Sequence, residues 1–292
     1  MKMNKQCLPC LMNQVVKMAK MTNCLNQDAL FHQVFQYMSQ VDFDKTNPEI
    51  IGEVFAIVKE YTHHDDPYQS LRTYYNQLFL KQLPQIEKQI HSFEEAIISA
   101  IVGNIIDFSP MHQNVEQDIT TYFQNVHQLS LAINHVERLK DDLKNSSSLL
   151  YLGDNCGEIC MDLLFIKTIK AFYPQLHIYF ATRGKPVVND SILEDAYFVG
   201  MDQYATIISN GDGSLGTVLS RVSQEFLDIY QQVDIVIAKG QANFESLSEE
   251  KHNIYFLLMV KCEVISQYIG VPQKSLVCMS NLNKELENEN NN

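Results

Sequence analysis

The stretch that decides the fold of this chain is Tyr-Leu-Gly-Asp-Asn-Cys-Gly-Glu, at residues 151–158. It ends a short apolar run that has the length of a buried strand, and apolar residues recur at helical spacing from residue 159 onwards. Asp154 and Asn155 are therefore expected at the carboxyl end of a strand, in a strand-to-helix turn. Ligands bind at that edge in open α/β sheets, so the sequence predicts a ligand site here.

The C-terminal half, residues 146–280, repeats this alternation of short β-rich runs and helical stretches, which is typical of an α/β domain with a mostly parallel sheet. Strands are predicted at residues 149–152, 176–182, 205–209, 233–239 and 275–279. Helices are predicted at residues 158–172, 191–200, 215–231 and 253–269, on the faces of that sheet.

The N-terminal half carries a helical pattern almost throughout, and strand signals are nearly absent. Helices are predicted at residues 8–21, 27–40, 47–61, 68–83, 91–106 and 112–142. We therefore predict a helical bundle or cap domain over residues 1–145. The tail, residues 281–292, consists almost wholly of Asn, Glu, Lys and Leu, and we expect it to be disordered.

Composition excludes some classes of partner. The formal net charge of -13 opposes a nonspecific nucleic-acid surface, because phosphate backbones are held by clustered Lys and Arg. The chain has no run of about 18 apolar residues and no apolar signal-peptide core near its start, so we expect a cytoplasmic protein without a membrane partner. Seven scattered cysteines favour reduced thiols over a disulfide framework. The oligomeric state is not determined by the sequence.

The polar residues of the first turn have two interpretations. Asp154 and Asn155 offer hard oxygen donors of the kind that bind Mg²⁺ or Mn²⁺, but Asp and Asn are also common helix N-caps. Gly157 would let an anion approach the helix N-terminus. Glu158 could orient water or a ligand, or it could simply interact with the helix dipole.

A second acidic turn lies at residues 183–190 and follows the second predicted strand. If the first two strands are neighbours, the carboxylate of Asp190 can reach the same sheet edge as Asp154 and complete a set of oxygen ligands. Alternatively, Asn189 or Asp190 caps the helix that begins near Ser191.

Two later turns offer groups for an anion. The glycine-rich turn at residues 208–217 could bind an anion through backbone amides or could be a plain connection, and it lacks the Walker spacing and lysine. Lys239 ends a strongly apolar strand, where its ammonium would suit a phosphoryl oxygen, with Gly240 allowing close approach and Asn243 adding a donor. The alternative is a surface lysine whose stem packs on apolar groups.

The remaining metal-type residues are better explained without a metal. Cys7 and Cys10 form a single C-x2-C, and zinc would need further ligands such as Cys24. Structural packing or incidental thiols is the preferred interpretation. His63 and His64 are adjacent and would point in different directions, which favours a solvated loop.

Taken in order, seven motifs resemble the metal-dependent damage-control phosphatases, formerly a domain-of-unknown-function family, and most closely the small prokaryotic branch. The resemblance spans about residues 5–280. The motifs are Cys7-x-x-Cys10, Asp66-Pro67-Tyr68, Gly103-Asn104-Ile105-Ile106-Asp107, Asp154-Asn155-x-Gly157-Glu158, Arg183-Gly184-x-Pro186-Val187-x-Asn189-Asp190, the loop at residues 211–216, and Lys239-Gly240-x-x-Asn243-x-Glu245.

The resemblance implies a helical domain packed on a Rossmann-like three-layer α/β/α domain. It also implies a divalent cation, Mn²⁺ or Mg²⁺ with Co²⁺ or Ni²⁺ possible, held by Asp154, Asn155 and Asp190. Lys239 would hold the phosphate.

By the same resemblance, Asn104 and Asp107 would come from the helical domain to close the site. Without the resemblance, these two residues would be polar interruptions at the end of the helix predicted at 91–106.

The resemblance therefore implies a metal-dependent phosphatase that acts on small phosphorylated metabolites, through water activated by the cation or through attack by Asp154.

One rival is a protein carboxyl methyltransferase that uses S-adenosylmethionine, an activity attached to a eukaryotic branch of the family. The turn at residues 153–157 supports it poorly, since metal-type oxygens dominate it. The other rival is a noncatalytic metal-binding module built on the N-terminal cysteines. The sequence does not identify the phosphate ester.

Overall fold

The structure, a computed structural model, describes residues 1–103, 123 and 125–282. Its architecture is the α/β fold predicted from the sequence, in which helices flank a seven-stranded, mostly parallel sheet. Within the described residues, the helices that precede the sheet are α1 (Leu8–Met21), α2 (Gln27–Met38), α3 (Asn47–Thr62), α4 (Gln69–Glu87) and α5 (Phe93–Val102).

The strands of the sheet are β1 (Leu131–Asn134), β2 (Ser148–Leu152), β3 (His177–Thr182), β4 (Thr206–Ser209), β5 (Ile235–Lys239), β6 (Ile254–Met259) and β7 (Leu276–Ser280). Their order is β1-β7-β6-β5-β2-β3-β4, and neighbours run parallel except β6 and β7. The chain winds from β2 to β3 and β4 on one side and from β5 to β6 on the other. The sheet therefore has its topological switch point between β2 and β5, where ligands bind in such folds.

Helices cover both faces of the sheet. After β1, the described helices are α6 (Val136–Lys144), α7 (Glu158–Phe172), α8 (Leu193–Phe198), α9 (Gln224–Gln232), α10 (Gly240–Leu247) and α11 (Glu263–Ile269). Successive strand residues point to opposite faces, so Tyr151 packs in a core with α4, α5 and α7, while Leu150 packs in a second core with α9, α10 and α11. The result is a three-layer α/β/α arrangement.

Helices α1, α2 and α3 share a third hydrophobic core. Helix α3 begins with a capping box, in which the side chains of Thr46 and Glu49 each accept a hydrogen bond from the backbone of the other residue. Asn47 then donates from Nδ2 to Glu245 Oε2 at 2.8 Å, which joins α3 to α10. The N-terminal helices are thus tied to the carboxyl edge of the sheet.

The predicted strands are confirmed with ends shifted by at most two residues, but the helix predicted at 253–269 is wrong over its first half. Residues 254–259 form β6 instead, and α11 begins only at Glu263. All six β6 residues are apolar and five are buried. A short run that is apolar throughout carries no periodicity by which a buried strand can be told from a buried helix.

Two other helix predictions need correction. Residues 131–134, inside the helix predicted at 112–142, form β1, which pairs with β7. The helix predicted at 215–231 begins only at Gln224, because the side chain of Ser223 caps its first turn.

The division of the chain into domains at residue 145 stays a prediction. Strand β1, which belongs to the sheet, and helix α6 both precede that residue in the chain. The tail was predicted from residue 281, but Asn281 accepts a hydrogen bond from Ile254 N at 3.0 Å. From residue 283 the tail lies outside the described residues. No helix in the described ranges has the length and apolar character needed to cross a membrane.

Candidate active site

The two predicted acidic turns lie side by side at the switch point. Ser191 N donates to Asp154 O and Cys156 N donates to Asn189 O, both at 2.8 Å, so Asn155 and Asp190 pair as an isolated antiparallel bridge. Strands β2 and β3, which lead into these turns, are direct neighbours. The structure therefore brings together all three predicted metal ligands.

Arg183 joins the two carboxylates of this site. Its Nε donates to Asp190 Oδ2 at 2.7 Å, and Nη2 contacts Asp154 Oδ1 at 3.4 Å. The guanidinium is almost fully buried, with 2% of its side chain exposed. Sequence reasoning quoted Arg183 only as part of a motif and gave it no role. The sequence signal that could have indicated a role is that this arginine directly follows a buried strand and lies next to two acidic turns.

Burial governs the protonation of the site. It raises the pKa of Asp190 to about 7, an effect that Arg183 opposes and the nearby charge of Asp154 reinforces. Asn155 lies alongside and donates from Nδ2 to Asp154 Oδ2 at 2.9 Å. A carboxyl whose pKa is raised by burial, and further by a second carboxylate, is a group that a divalent cation would ionise.

The donor set fits a hard divalent cation. Two carboxylates and one amide are oxygen donors suited to Mg²⁺ or Mn²⁺, and Asp154 and Asn155 keep 7% and 9% exposure. Within residues 1–103, 123 and 125–282, no three side chains of His, Cys, Asp and Glu are grouped to hold a metal ion. The predicted set contains only two residues of those types, because its third member is an asparagine.

Lys239 is buried, and the interpretation as a surface lysine is wrong. Its side chain is 0% exposed, and Nζ donates to Ala100 O at 2.7 Å and to Glu158 Oε1 and Asp162 Oδ1 at 2.5 Å each. Tyr151 OH donates to the same Asp162 oxygen at 2.7 Å. The phosphate-binding role of Lys239 stays a prediction, and in this arrangement its ammonium faces protein acceptors.

Glu158 connects this buried cluster to the first acidic turn. Its Oε2 accepts hydrogen bonds from Asn155 N at 3.4 Å and from Asn155 Nδ2 at 3.2 Å, while Oε1 binds Lys239. Burial raises the pKa of Glu158 to about 7, and Lys239 opposes that rise. Glu158 therefore orients Asn155 rather than merely interacting with the helix dipole.

The interpretation of Asp154 and Asn155 as helix caps is wrong. The N-cap of α7 is Gly157, with φ +70° and no side-chain cap. The N–H of Gly157 donates to Asn76 Oδ1 at 2.7 Å, so a protein acceptor occupies the position at which an anion was predicted. Anion binding at Gly157 stays a prediction.

The second turn does not cap α8 either. Ile192 is the N-cap of that helix, and Asp195 Oδ2 accepts from Ile192 N at 2.9 Å. Asp190 and Asn189 lie before this cap. Asp190 is instead buried against Arg183.

Asn243 ties the turn after β5 to the turn after β2. Its Nδ2 donates to Lys239 O at 2.7 Å and to Gly153 O at 3.3 Å. Its Oδ1 accepts from Thr217 Oγ1 at 2.8 Å and from Arg183 Nη1 at 3.5 Å. The predicted donor is thus placed beside the site as a structural link. Asn104 and Asp107 lie outside the described residues.

The glycine-rich turn after β4 is held by its own side chains. Asn210 Oδ1 accepts from Gly184 N and Asp212 N at 2.9 Å each, and Asp212 Oδ2 accepts from Ser214 N at 3.1 Å. These amides are satisfied within the protein. The arrangement agrees with a plain connection rather than an anion cradle.

The thiols are free, as predicted: all seven cysteines lie among the described residues and none forms a disulfide. Cys156 and Cys160 are buried near the acidic turn, and burial raises the pKa of both thiols well above the ordinary value. They behave as apolar core residues. His63 and His64 are exposed, as expected for a solvated loop.

A separate pocket of about 460 Å³ opens between α3 and the turns after β3 and β4. The charged residues that line it are Lys59, Glu60, Asp65, Lys185, Asp212 and Arg221. Three are basic and three acidic, so their charges balance and do not favour a phosphate.

Comparison with known proteins places this geometry in a family. The profile of the damage-control phosphatase ARMT1-like domain matches residues 3–277. The chain belongs to this family. The resemblance inferred from the seven motifs is therefore confirmed.

Relatives in two archaea support this family membership. The chain is 30% identical over 289 residues to a damage-control phosphatase of Pyrococcus horikoshii, with 96% of this chain and 99% of the relative covered. It is 30% identical over 283 residues to a damage-control phosphatase of Archaeoglobus fulgidus, covering 93% and 96%. The crystal structure of a DUF89 family protein from Pyrococcus horikoshii matches with a TM-score of 0.89 and 28% identity, over 96% of this chain and 99% of that one.

Proposed function

We propose that this damage-control phosphatase family member is a metal-dependent phosphatase that hydrolyses small phosphorylated metabolites. The observation that carries the proposal is the pairing of Asn155 with Asp190, which places two carboxylates around one buried guanidinium at the switch point of the sheet. Relatives that cover nearly the whole chain are named damage-control phosphatases. A cytoplasmic location and the absence of nucleic-acid and membrane partners stay predictions from the sequence.

Asp154, Asn155 and Asp190 would hold the cation, which we expect to be Mn²⁺ or Mg²⁺, with Co²⁺ or Ni²⁺ as alternatives. When bound, a divalent cation supplies Lewis acidity and lowers the pKa of attacking water. Asp190, whose pKa is raised by burial to about 7, would lose its proton on becoming a ligand. Burial of the turn excludes bulk water and strengthens each electrostatic contact in the site.

Glu158 has a positioning role in this proposal. One of its oxygens accepts from the amide of Asn155, and the other accepts from Lys239. The ammonium therefore keeps Glu158 in place, and Glu158 keeps the amide of Asn155 beside Asp154. Outer contacts of this kind fix metal ligands in the geometry that the metal requires.

Two routes of attack on phosphorus fit the site. Water can attack phosphorus directly and displace the alcohol, which leaves with a proton. Alternatively, the Asp154 carboxylate can displace the alcohol and form an acyl phosphate, which water then hydrolyses to phosphate and the free carboxylate. Trapping of a phospho-aspartate and a burst of product in the first turnover would support the second route. Their absence during active turnover would support the first.

The test of the proposed function is a panel of phosphate esters assayed with Mn²⁺, Mg²⁺, Co²⁺ and Ni²⁺. The native chain should release phosphate from some of these esters, and Asp154→Ala should reduce the rate at least about a hundredfold. The matched control is Asp228→Ala, which removes an exposed carboxylate on α9 and should leave the rate unchanged. A native chain that releases no phosphate with any metal would refute the proposal.

The methyltransferase alternative receives little support from the turn after β2. A Cβ on Gly153 would lie 2.8 Å from Phe180 Cζ, so packing against β3 accounts for this glycine without a cofactor. Methyl transfer from S-adenosylmethionine in the absence of metal would favour that alternative. The cysteine-based module would be favoured by stoichiometric zinc that is lost in Cys7→Ser.

A further inference from the structure

We propose that Arg183 is the side chain that binds the phosphoryl oxygens in this site. The inference rests on the proposed phosphatase function and adds to it a residue to which sequence reasoning gave no role. It is carried by a comparison of two of the buried cations near the acidic turns, Arg183 and Lys239.

The hydrogen-bonding capacity of Lys239 is already used. An ammonium has three N–H donors, and Lys239 Nζ has three acceptors at 2.5–2.7 Å, of which two are carboxylate oxygens of Glu158 and Asp162. All three side chains are 0% exposed. To bind phosphate, Lys239 would have to leave a buried carboxylate without its counterion, which is strongly unfavourable.

Arg183 has donor capacity that is only weakly used. A guanidinium has five N–H donors, and the contact of Nε with Asp190 at 2.7 Å is short. The terminal amino groups, by contrast, contact Asp154 and Asn243 at 3.4 and 3.5 Å, at the long limit for a hydrogen bond. Stronger acceptors on a phosphoryl group would compete well for these N–H donors.

The planar shape of the Arg183 guanidinium also suits a phosphoryl group. The planar fork of an arginine matches two oxygens of a phosphoryl group, whereas an ammonium acts as a point charge. Arg183 is adjacent to Asp154, at the sheet edge where ligands bind in this type of fold. The fork thus lies beside the carboxylate that is proposed to bind the cation.

Arg183 is held rigidly by its surroundings. Its backbone N donates to Ser191 O at 3.0 Å, and Nε is fixed on Asp190. The next residue, Gly184, approaches the turn after β4 so closely that an added Cβ would lie 2.3 Å from the backbone of Gly211. A donor positioned in advance loses little entropy when it binds its ligand.

The charge of Arg183 gives the proposal a distinctive signature. Arg183 now neutralises the same carboxylates that a divalent cation would bind, so its positive charge repels that cation. Removing the charge should therefore strengthen cation binding while weakening phosphate binding. General damage to the site would weaken both.

The test uses the full chain and two calorimetric titrations, one with Mn²⁺ alone and one with inorganic phosphate added to the Mn²⁺-loaded protein. In Arg183→Gln, the Kd for phosphate should rise about tenfold or more, the value of one charge-assisted hydrogen bond. The Kd for Mn²⁺ should equal or fall below that of the native chain. Lys185→Gln is the matched control, since it removes an exposed charge two residues away and should change neither Kd more than about twofold.

Three results would overturn the proposal: a rise in the phosphate Kd of less than about tenfold, weaker Mn²⁺ binding, or a native chain that binds no phosphate. If Arg183→Gln does not fold, as judged by its thermal unfolding transition, Arg183→Lys is tested by the same criterion, because it keeps the charge and loses the fork. A native chain that binds Mn²⁺ and phosphate but cleaves no ester would refute the phosphatase function alone. Active hydrolysis with phosphate binding unaffected in the variant would refute the role of Arg183 alone.

Discussion

Asn76 on α4 accepts a hydrogen bond from the backbone N–H of Gly157, at 2.7 Å. The same amide donates from Nδ2 to Asp195 Oδ1 at 2.7 Å, and 1% of Asn76 is exposed. One buried side chain from the N-terminal helices thus joins the first turn of α7 to α8. The turn that carries Asp154 and Asn155 therefore depends on a helix that is distant in sequence.

Replacement of Asn76 tests this dependence. Asn76→Ala should lower the free energy of unfolding by about 2 kcal/mol, because it leaves the N–H of Gly157 and a carboxylate oxygen of Asp195 without these partners. It should also weaken Mn²⁺ binding about tenfold, as expected when a support of the ligand turn is lost. Urea unfolding and calorimetry measure the two effects. The control is Asn13→Ala, at an exposed position of α1, whose free energy of unfolding should stay within about 0.5 kcal/mol of the native value. A loss in this control as large as that in Asn76→Ala would contradict the prediction.

Gly157 and Gly270 both have positive φ, +70° and +84°, but they differ in ψ. Gly270, with ψ 25°, lies in the left-handed region, where an alanine costs about 1–2 kcal/mol, whereas Gly157, with ψ -57°, lies outside that region. Both Gly157→Ala and Gly270→Ala should therefore lose stability in urea unfolding, with the larger loss in Gly157→Ala, and a Cβ on Gly270 has no atom within 4 Å. Only Gly157→Ala should also lower metal affinity, because only that turn carries the ligands. Equal metal affinity in the two variants would count against the assignment of the site.

Lys239 should behave as a buried counterion. Lys239→Met leaves the carboxylates of Glu158 and Asp162 unpaired in the core, and such a loss lowers the free energy of unfolding by about 3–5 kcal/mol. Adding Asp162→Asn to Lys239→Met should recover part of this loss of stability, because one buried charge is removed while Tyr151 keeps an acceptor. Chemical denaturation measures both. Lys20→Met, at an exposed position of α1, serves as the control, and a loss as small as that of the control would show that Lys239 has no such role.

The raised pKa values of Asp190 and Glu158, each about 7, predict a pH dependence for the metal-free protein. Between the ordinary carboxyl value of about 4 and 7, the folded state binds more protons than the unfolded state. The contribution of each group to stability is therefore full below about pH 4 and is lost as the pH rises through about 7.

The difference in unfolding free energy between the native chain and Asp190→Asn isolates this effect, and we expect it to decrease from about pH 5 to about pH 8 in the presence of a chelator. Mn²⁺ competes with the proton on Asp190, so Mn²⁺ affinity should increase over the same interval. A difference that is constant with pH would show that Asp190 is already ionised in the folded protein.

Local pattern was sufficient for much of the fold. The turn at residues 151–158 follows an apolar run of strand length and precedes a helical repeat, so its strand, turn and helix were predicted correctly. The pattern failed at residues 254–259, where six consecutive apolar residues have no period, and at 131–134, where a four-residue strand lies in a stretch predicted as helix.

Some features of the candidate site were likewise predictable from the sequence, and others were not. That Asp154 and Asp190 meet was predictable, because both follow neighbouring parallel strands and such ends share one edge of a sheet. The partners of Lys239 were not predictable. Its acceptors come from α5 and α7, at separations of 139 and 77 residues along the chain for Ala100 and Asp162.

The amino-acid sequence by itself determined the α/β class, the family and the residues at the sheet edge, because these follow from periodicity and from motifs in a given order. Only the tertiary structure decided which buried cation faces the paired carboxylates and which is already neutralised. The physical reason is that the charge state and hydrogen-bonding capacity of a buried group depend on acceptors brought from distant segments, and no local pattern encodes that geometry.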